Sequence, residues 1–211
     1  MRELIVVRHG ETAQNAAGLF TQGMLAHPLT EIGREEAAAA ARLIRSHGWQ
    51  AERLITSPLR RCMETAEILQ VSLGLPAATQ DPAFTEIDPG SLTGLSWKEI
   101  EAAHPKLAAR PANTWRGFAE FGGESQESMF ARVAAGLDAF PNDARVLLVT
   151  HGGVFKAILA HLLDLSSDYF LGLRPGSCLR LALKRRGASE VMALTHLMHA
   201  SEWAAARGTT T

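Results

Sequence analysis

Two stretches of this chain do the same unusual thing. Leu4-Ile5-Val6-Val7 and Val146-Leu147-Leu148-Val149 are short, continuous apolar runs, and each ends abruptly in polar residues: Arg8-His9-Gly10-Glu11-Thr12 after the first, Thr150-His151-Gly152-Gly153 after the second. Continuous runs of this length, rich in β-branched residues, read as strands buried on both faces, which requires a sheet covered by helices on either side. Placed parallel in one sheet, both strands deliver a histidine and a glycine to the same edge, where open α/β sheets bind ligands.

The intervening sequence fits that frame. Thr30 caps an alanine-rich helix from Glu31 to about Ser46, and Arg53-Leu54-Ile55-Thr56 is a short strand. Ser57-Pro58 reads as an N-cap and first helical residue, with the helix running to Leu73 and ended by Gly74. Asp81 to Gly94 is loop, and Ser96-Trp97-Lys98-Glu99 has a capping-box pattern opening a short helix before Pro105. Helices follow from about Ser125 to Phe140 and from Val154 to Asp164. Cys178 to Leu183 and Glu190 to Leu197 are two final strands, with Arg185-Arg186-Gly187 as their turn. The alternation predicts a three-layer α/β/α fold with a mostly parallel central sheet, helices on both faces and a small cap subregion, in one domain over residues 1–211.

Composition narrows the function. A formal net charge of -1 offers no global field for nucleic acid or membrane surfaces, so anion recognition has to be local. No segment approaches the length of a membrane span and no signal segment is evident, which leads us to expect a cytoplasmic protein. Cys62 and Cys178 are the only cysteines and lack metal-ligand spacing, so two buried thiols are expected, with no metal site and no cofactor.

The candidate chemistry gathers around the histidines. Arg8 charges the end of a buried strand, where a partner is required, and lowers the pKa of the adjacent His9, keeping the imidazole neutral and nucleophilic. Arg60 lies in the opening turn of a helix, where a cation is unfavourable unless an anion binds at that end; Arg61 is expected to face solvent. A neutral histidine among arginines suits in-line attack on a phosphoryl group. The departing alkoxide needs an acid, for which Glu86 in its loop is preferred over Asp88, Glu11, Glu124 and Glu127. A cap of Met24, Leu25, His27, Trp97, Trp115, Phe118 and Phe121 could accept a nucleoside-like, aromatic or hydrophobic ester, or simply pack on itself. His47, His104, His161, His196 and His199 are read as outside the chemistry.

These residues resemble the histidine phosphatase superfamily, also called the phosphoglycerate mutase-like proteins. The likeness rests on Arg8-His9-Gly10-Glu11-Thr12 with Asn15, Gln22-Gly23, Pro28-Leu29-Thr30 with Gly33, Ser57-Pro58-Leu59-Arg60-Arg61 with Thr65-Ala66, Glu86, Gly122-Gly123-Glu124-Ser125 and Thr150-His151-Gly152-Gly153. It implies His9 as the phosphorylated nucleophile, Arg8, Arg60 and His151 as the phosphate pocket, and Glu86 as proton donor and later base. Asn15, Gln22, Gly23 and the amide of Gly152 would line the pocket, and no metal would be needed. Cofactor-dependent mutases of the family carry a longer insertion after the acid, with Arg and Tyr where this chain has Ile87 and Pro89, and Trp and Asp where it has Met24 and Ala26. Hydrolysis of a small-molecule phosphate ester is therefore expected over mutase activity or a phospholigand-binding module without turnover. No nucleic-acid or membrane partner is expected, and a homodimer is left open.

Overall fold

The computed structural model describes residues 2–20, 27–109, 116–164, 173–186 and 189–199, the last two strands beyond Leu181 by their backbone alone. Strand β1 (Arg2–Arg8) is followed by a single helical turn, α1 (Ala13–Ala16), then α2 (Glu31–Ser46), β2 (Arg53–Thr56), α3 (Arg60–Leu73) and a two-residue β3 (Thr79–Gln80). After the loop holding Glu86 come the short helices α4 (Trp97–Ala103) and α5 (Pro105–Ala108), then α6 (Gln126–Asp138), β4 (Arg145–Thr150), α7 (Gly152–Leu163), β5 (Ser177–Arg186) and β6 (Ser189–His199).

The sheet order is β3-β2-β4-β1-β5-β6. Pairings from β3 through β1 are parallel, and β5 and β6 add antiparallel strands at one side. Period-two alternation divides the central strands between two cores, as expected for strands buried on both faces. Leu4, Val6, Val146 and Leu148 face α6 and α7, packing with Met129, Val133, Phe155 and Ile158. Ile5, Val7, Leu147 and Val149 face α2 and α3, packing with Leu43, Ile44, Ala66 and Leu69. Each such fully buried aliphatic chain contributes about 1.5–3 kcal/mol of transfer free energy, so register is strongly specified here.

That register aligns the strand ends. Arg8 pairs with Thr150 and Thr56 with Val149, and the ladder runs one step further through His9 N–H to the Thr150 carbonyl and Ser57 N–H to the Val149 carbonyl, both 3.0 Å. His9, Ser57 and His151 thus leave three adjacent parallel strands at one level.

Two local readings change. Ser57 does not cap α3: the helix begins two residues past Pro58, its N-cap Leu59 making no side-chain cap bond. Pro58 is not held in the helix. Arg185 and Arg186 are not the β5–β6 turn but ladder residues opposite Glu190 and Ser189. The other signals act as read, including the Ser96–Glu99 capping box and Gly74 as a left-handed cap at φ 67°. Cys62 and Cys178 are both free and buried.

Candidate active site

His9 is 2% exposed and His151 fully buried, with ring centroids 5.1 Å apart. The backbone behind His9 approaches unusually closely: a methyl on Gly10 would overlap the Gly33 carbonyl, and one on Gly33 would overlap the Glu11 carbonyl. Only glycines let the first turn of α2 sit against the His9 loop. The Gly10 amide also donates to Thr65 Oγ1 on α3 at 3.1 Å, and Glu11 N–H donates to Glu36 on α2 at 2.8 Å.

Between the histidines lies Arg61. Its Nε donates to His9 Nε2 and its Nη2 to His151 Nδ1, each at 3.2 Å. Since a guanidinium only donates, both imidazole nitrogens are acceptors. His9 Nδ1, 2.7 Å from the Gly10 carbonyl, therefore carries the proton, leaving the Nε2 lone pair toward the site. By the same logic His151 holds its proton on Nε2 and donates it to Ser57 Oγ at 2.8 Å, with Cys62 Sγ at 3.4 Å. Burial, followed by the charges of Arg61 and Arg8, pushes the His9 pKa well below its ordinary value. His151 is pushed the same way by burial, then by Arg61, His9, Arg8 and Arg132. Both rings are neutral at physiological pH. The expectation that Arg8 would keep His9 neutral holds in sign, but burial and Arg61 act more strongly.

Arg60 and Arg61 exchange their expected places. Arg61 is 2% exposed, whereas the Arg60 side chain is 53% exposed and pairs along the helix with Glu64 at 2.7 Å. The cause is the apolar face of α3 that packs on the core. Its buried face carries Arg61, Cys62, Thr65, Ala66 and Leu69, while Arg60 and Glu64 share the outer face. The spacing of Cys62, Ala66 and Leu69 was the signal that could have assigned Arg61 inward.

Arg8 completes the cationic floor. One Nη1 donates to the Leu173 carbonyl, while Nε is buried without a hydrogen-bond partner among the described residues. Burial lowers the Arg8 pKa, opposed by the charge of Glu86. Such an orphaned guanidinium N–H invites an anionic oxygen.

Glu86 sits at the start of α7. Its Oε2 accepts from Gly153 N–H at 3.1 Å, its Oε1 accepts from Ile87 N–H at 3.0 Å, and a methyl on Gly153 would overlap the carboxylate. The other carboxylates are engaged elsewhere. Asp88 Oδ1 accepts from Gly90 N–H at 2.7 Å, Glu11 Oε1 accepts from Thr30 Oγ1 at 2.9 Å, Glu124 binds Arg132, and Glu127 is exposed. Asn15, in α1, is partly buried and its side-chain oxygen accepts from Thr12 Oγ1 at 3.0 Å. Gly152 is the first residue of α7, one of the amides without an intrahelical partner. Gln22, Gly23, Met24, Leu25 and Trp115 lie outside the described residues. Of the aromatic cap, Phe118 is buried in the core with Phe121 packed against it, while Trp97 is half exposed beside Phe20.

The remaining histidines fall outside this cluster. His47 Nδ1 lies 3.0 Å from the Leu43 carbonyl, His104 packs edge-on to Phe121, and His161 pairs with Asp138; the side chains of His196 and His199 lie outside the described residues. Among the described residues no cluster of His, Cys, Asp and Glu is arranged to hold a metal ion, and no helix is long and apolar enough to cross a membrane.

A family profile for the histidine phosphatase superfamily, branch 1, matches residues 4–194. The chain belongs to that superfamily. A glucosyl-3-phosphoglycerate phosphatase of Mycolicibacterium vanbaalenii is 36% identical over 180 residues, spanning 80% of this chain and 77% of that protein. A probable phosphoglycerate mutase of Yersinia enterocolitica is 32% identical over 194 residues, spanning 90% and 85%. Among solved structures, a mycobacterial glucosyl-3-phosphoglycerate phosphatase in complex with VO3 superimposes with a TM-score of 0.78 at 31% identity, over 93% of this chain and 98% of that one. The three-layer architecture is therefore the superfamily fold.

Proposed function

We propose that this histidine phosphatase hydrolyses small-molecule phosphate monoesters through a phosphohistidine on His9, without a metal. Its superfamily and its phosphatase relatives make it a phosphoric monoester hydrolase. The observation that carries the mechanism is the pairing of His9 Nε2, an unprotonated buried nitrogen, with the Arg61 guanidinium at 3.2 Å beside the unpartnered Arg8 Nε.

A phosphoryl group entering here takes the place of His9 Nε2 as the acceptor for Arg61. Arg61 and Arg8 then bind its oxygens, joined by the Gly152 amide and the Asn15 side-chain nitrogen; His151 Nδ1, released from Arg61, joins them by taking up the ring proton in its other tautomer. His9 Nε2 attacks phosphorus, the ester P–O bond breaks, and the leaving oxygen takes a proton from Glu86. Glu86, now a carboxylate, accepts a proton from water as that water attacks phosphorus. The P–N bond breaks, releasing inorganic phosphate and restoring neutral His9. Positive charge that a metal supplies in other phosphoryl-transfer sites comes here from Arg8 and Arg61. Arg60, pointing outward to Glu64, has no part in this reading.

The substrate is a small phosphate ester, and a phosphorylated glyceric-acid derivative is the class to try first, because relatives on both sides of the comparison carry that moiety in their names. We place the enzyme in the cytoplasm. Mutase chemistry is the second reading, favoured by the Yersinia relative.

Assay wild type and His9→Ala with 4-nitrophenyl phosphate in excess EDTA, then with a panel of alkyl phosphates. Turnover that resists the chelator and disappears with His9 is expected; chelator-sensitive turnover, or turnover surviving without His9, refutes the mechanism. Stimulation of monophosphoglycerate interconversion by a bisphosphate would favour the mutase reading instead.

A further inference from the structure

We propose that Arg132 and Glu124, an ion pair on and just before α6, are positioning residues for the acid Glu86. The inference rests on the reading of Glu86 as proton donor.

Glu86 belongs to an irregular loop outside the sheet ladder, yet proton transfer requires its carboxyl group to meet the leaving oxygen within hydrogen-bond reach. The loop is clamped on both sides of it. Upstream, Arg132 Nη1 donates to the Ala83 carbonyl at 2.8 Å. Downstream, Glu124 N–H donates to the Asp88 carbonyl at 2.8 Å. Arg132 Nε and Nη2 then bind the two carboxylate oxygens of Glu124 at 2.7 and 2.8 Å, a bidentate pair that closes the ring. The backbone between Ala83 and Asp88, with Glu86 within it, is thereby tied at both ends to one rigid unit. Thr150 Oγ1, one residue before His151, adds a third tie to the Phe84 carbonyl at 2.7 Å.

Packing restricts the clamp further. Gly90, at φ +59°, and Gly123 bring the two segments so close that a methyl on Gly123 would overlap the Asp88 carbonyl and one on Gly90 the Phe121 carbonyl. The Arg132 and Glu124 side chains are 26% and 17% exposed, so the pair is sheltered enough to hold one geometry. Neither side chain bonds to His9, Arg8 or Arg61; beyond the small charge effect of Arg132 on His151, their hydrogen bonds act through the loop. An ion pair kept only for stability would bind α6 to a neighbouring element. This one holds the Ala83 carbonyl through Arg132 and fixes, through the Glu124 side chain, the backbone segment whose N–H holds the Asp88 carbonyl.

The test separates leaving groups, because an ester whose leaving oxygen is stable as an anion has little need of the acid, whereas an alkyl ester depends on it. Values of kcat/KM, which report the phosphorylation step, are measured for 4-nitrophenyl phosphate and an alkyl phosphate with wild type, Glu86→Gln, Arg132→Met, Arg132→Lys and Glu124→Gln. In Arg132→Met and Glu124→Gln the alkyl phosphate should lose roughly 10- to 100-fold while the aryl phosphate loses less than about 3-fold. The double variant should lose little more than either single one, since the two act as one unit. Arg132→Lys, keeping charge but not the fork, should fall between and carries the test if Arg132→Met does not fold. Equal losses on both substrates, or none, overturn the proposal, because a structural role alone scales both alike. Glu86→Gln distinguishes the two levels: if it shows the differential loss and the clamp variants do not, the clamp fails and the acid stands, and if Glu86→Gln shows no differential loss, the acid assignment itself fails.

Discussion

Arg61 donates from Nε to His9 Nε2 at 3.2 Å, so a guanidinium rests on the nitrogen assigned as nucleophile. One helical position away, Arg60 turns to Glu64 and solvent. Arg61→Ala should lower kcat by about 10²- to 10³-fold, the scale of removing one donor to a developing anion. Arg61→Lys should recover only part of that loss, since an ammonium cannot bridge both histidines as the planar fork does. Arg60→Ala should leave kcat within about 2-fold, the ordinary effect of an exposed helix pair. Steady-state kinetics of the three variants on one substrate decide it; a large loss with Arg60→Ala would restore that residue to the pocket.

The same pair marks where the sequence was readable and where it was not. Strands such as Leu4 to Val7 announce themselves because burial on two faces demands continuous apolar residues, and the glycine after His9 announces the close approach of the Gly33 backbone. Helix phase is weaker at the first turn, where a charged residue can point either way. The opening-turn position of Arg60 suggests an anion ligand, but Cys62, Ala66 and Leu69 set the buried face of α3, which takes Arg61 inward and leaves Arg60 outside with Glu64. Glu86 could be preferred from its loop but not separated from Asp88, since only the tertiary contact with Gly153 shows Glu86 held at α7 while Asp88 closes its own turn onto Gly90. The aromatic cap divided for a similar reason: Phe118 joins the core, and aromatic residues at close spacing do not reveal which of them a second layer covers.

Stability should fall steeply below neutral pH. His9 and His151 have native pKa values pushed well below the ordinary one by burial first and by Arg61 next. Between the native and unfolded values the unfolded chain binds protons that the native chain does not, so stability is full above about pH 6.5 and declines as pH drops through it. Each histidine adds a slope approaching about 1.4 kcal/mol per pH unit, about 2.7 for the two together. Urea unfolding between pH 7.5 and 5.5 measures this above the main carboxylate range, and His9→Asn should remove about half of the slope. A stability flat across that interval would mean that neither ring is held neutral in the native state.

Two adjacent glycines should respond differently to a single methyl group. On Gly153 it would overlap the Glu86 carboxylate, while on Gly152 it would meet Arg8 Cζ at an ordinary 3.7 Å. Gly153→Ala should therefore displace the acid and reduce kcat/KM for an alkyl phosphate by about 10- to 100-fold, with a much smaller loss for an aryl phosphate. Gly152→Ala should stay within about 3-fold on both, given that alanine suits the first turn of α7. Comparable behaviour of the two variants would count against Glu86 being seated on the α7 N-terminus as described.

The thiols offer a check on the packing that encloses the site. Cys62 is fully buried with Sγ 3.4 Å from His151 Nε2, and Cys178 is fully buried under the other side of the same core. Burial pushes both thiols up to about 12, for Cys62 against the opposing charge of Arg61. The thiolate is the reactive form, and at pH 8 it is about one part in 10⁴ for such a pKa, so both cysteines should be inert to a thiol-specific disulfide reagent in the native protein. Labelling should follow global unfolding, with a midpoint in urea matching that of the fluorescence transition. Rapid labelling of Cys62 in native protein, blocked by added phosphate, would instead mean that the space between His9, Arg61 and His151 opens to solvent and that the helix bearing Arg61 is less firmly seated than its burial implies.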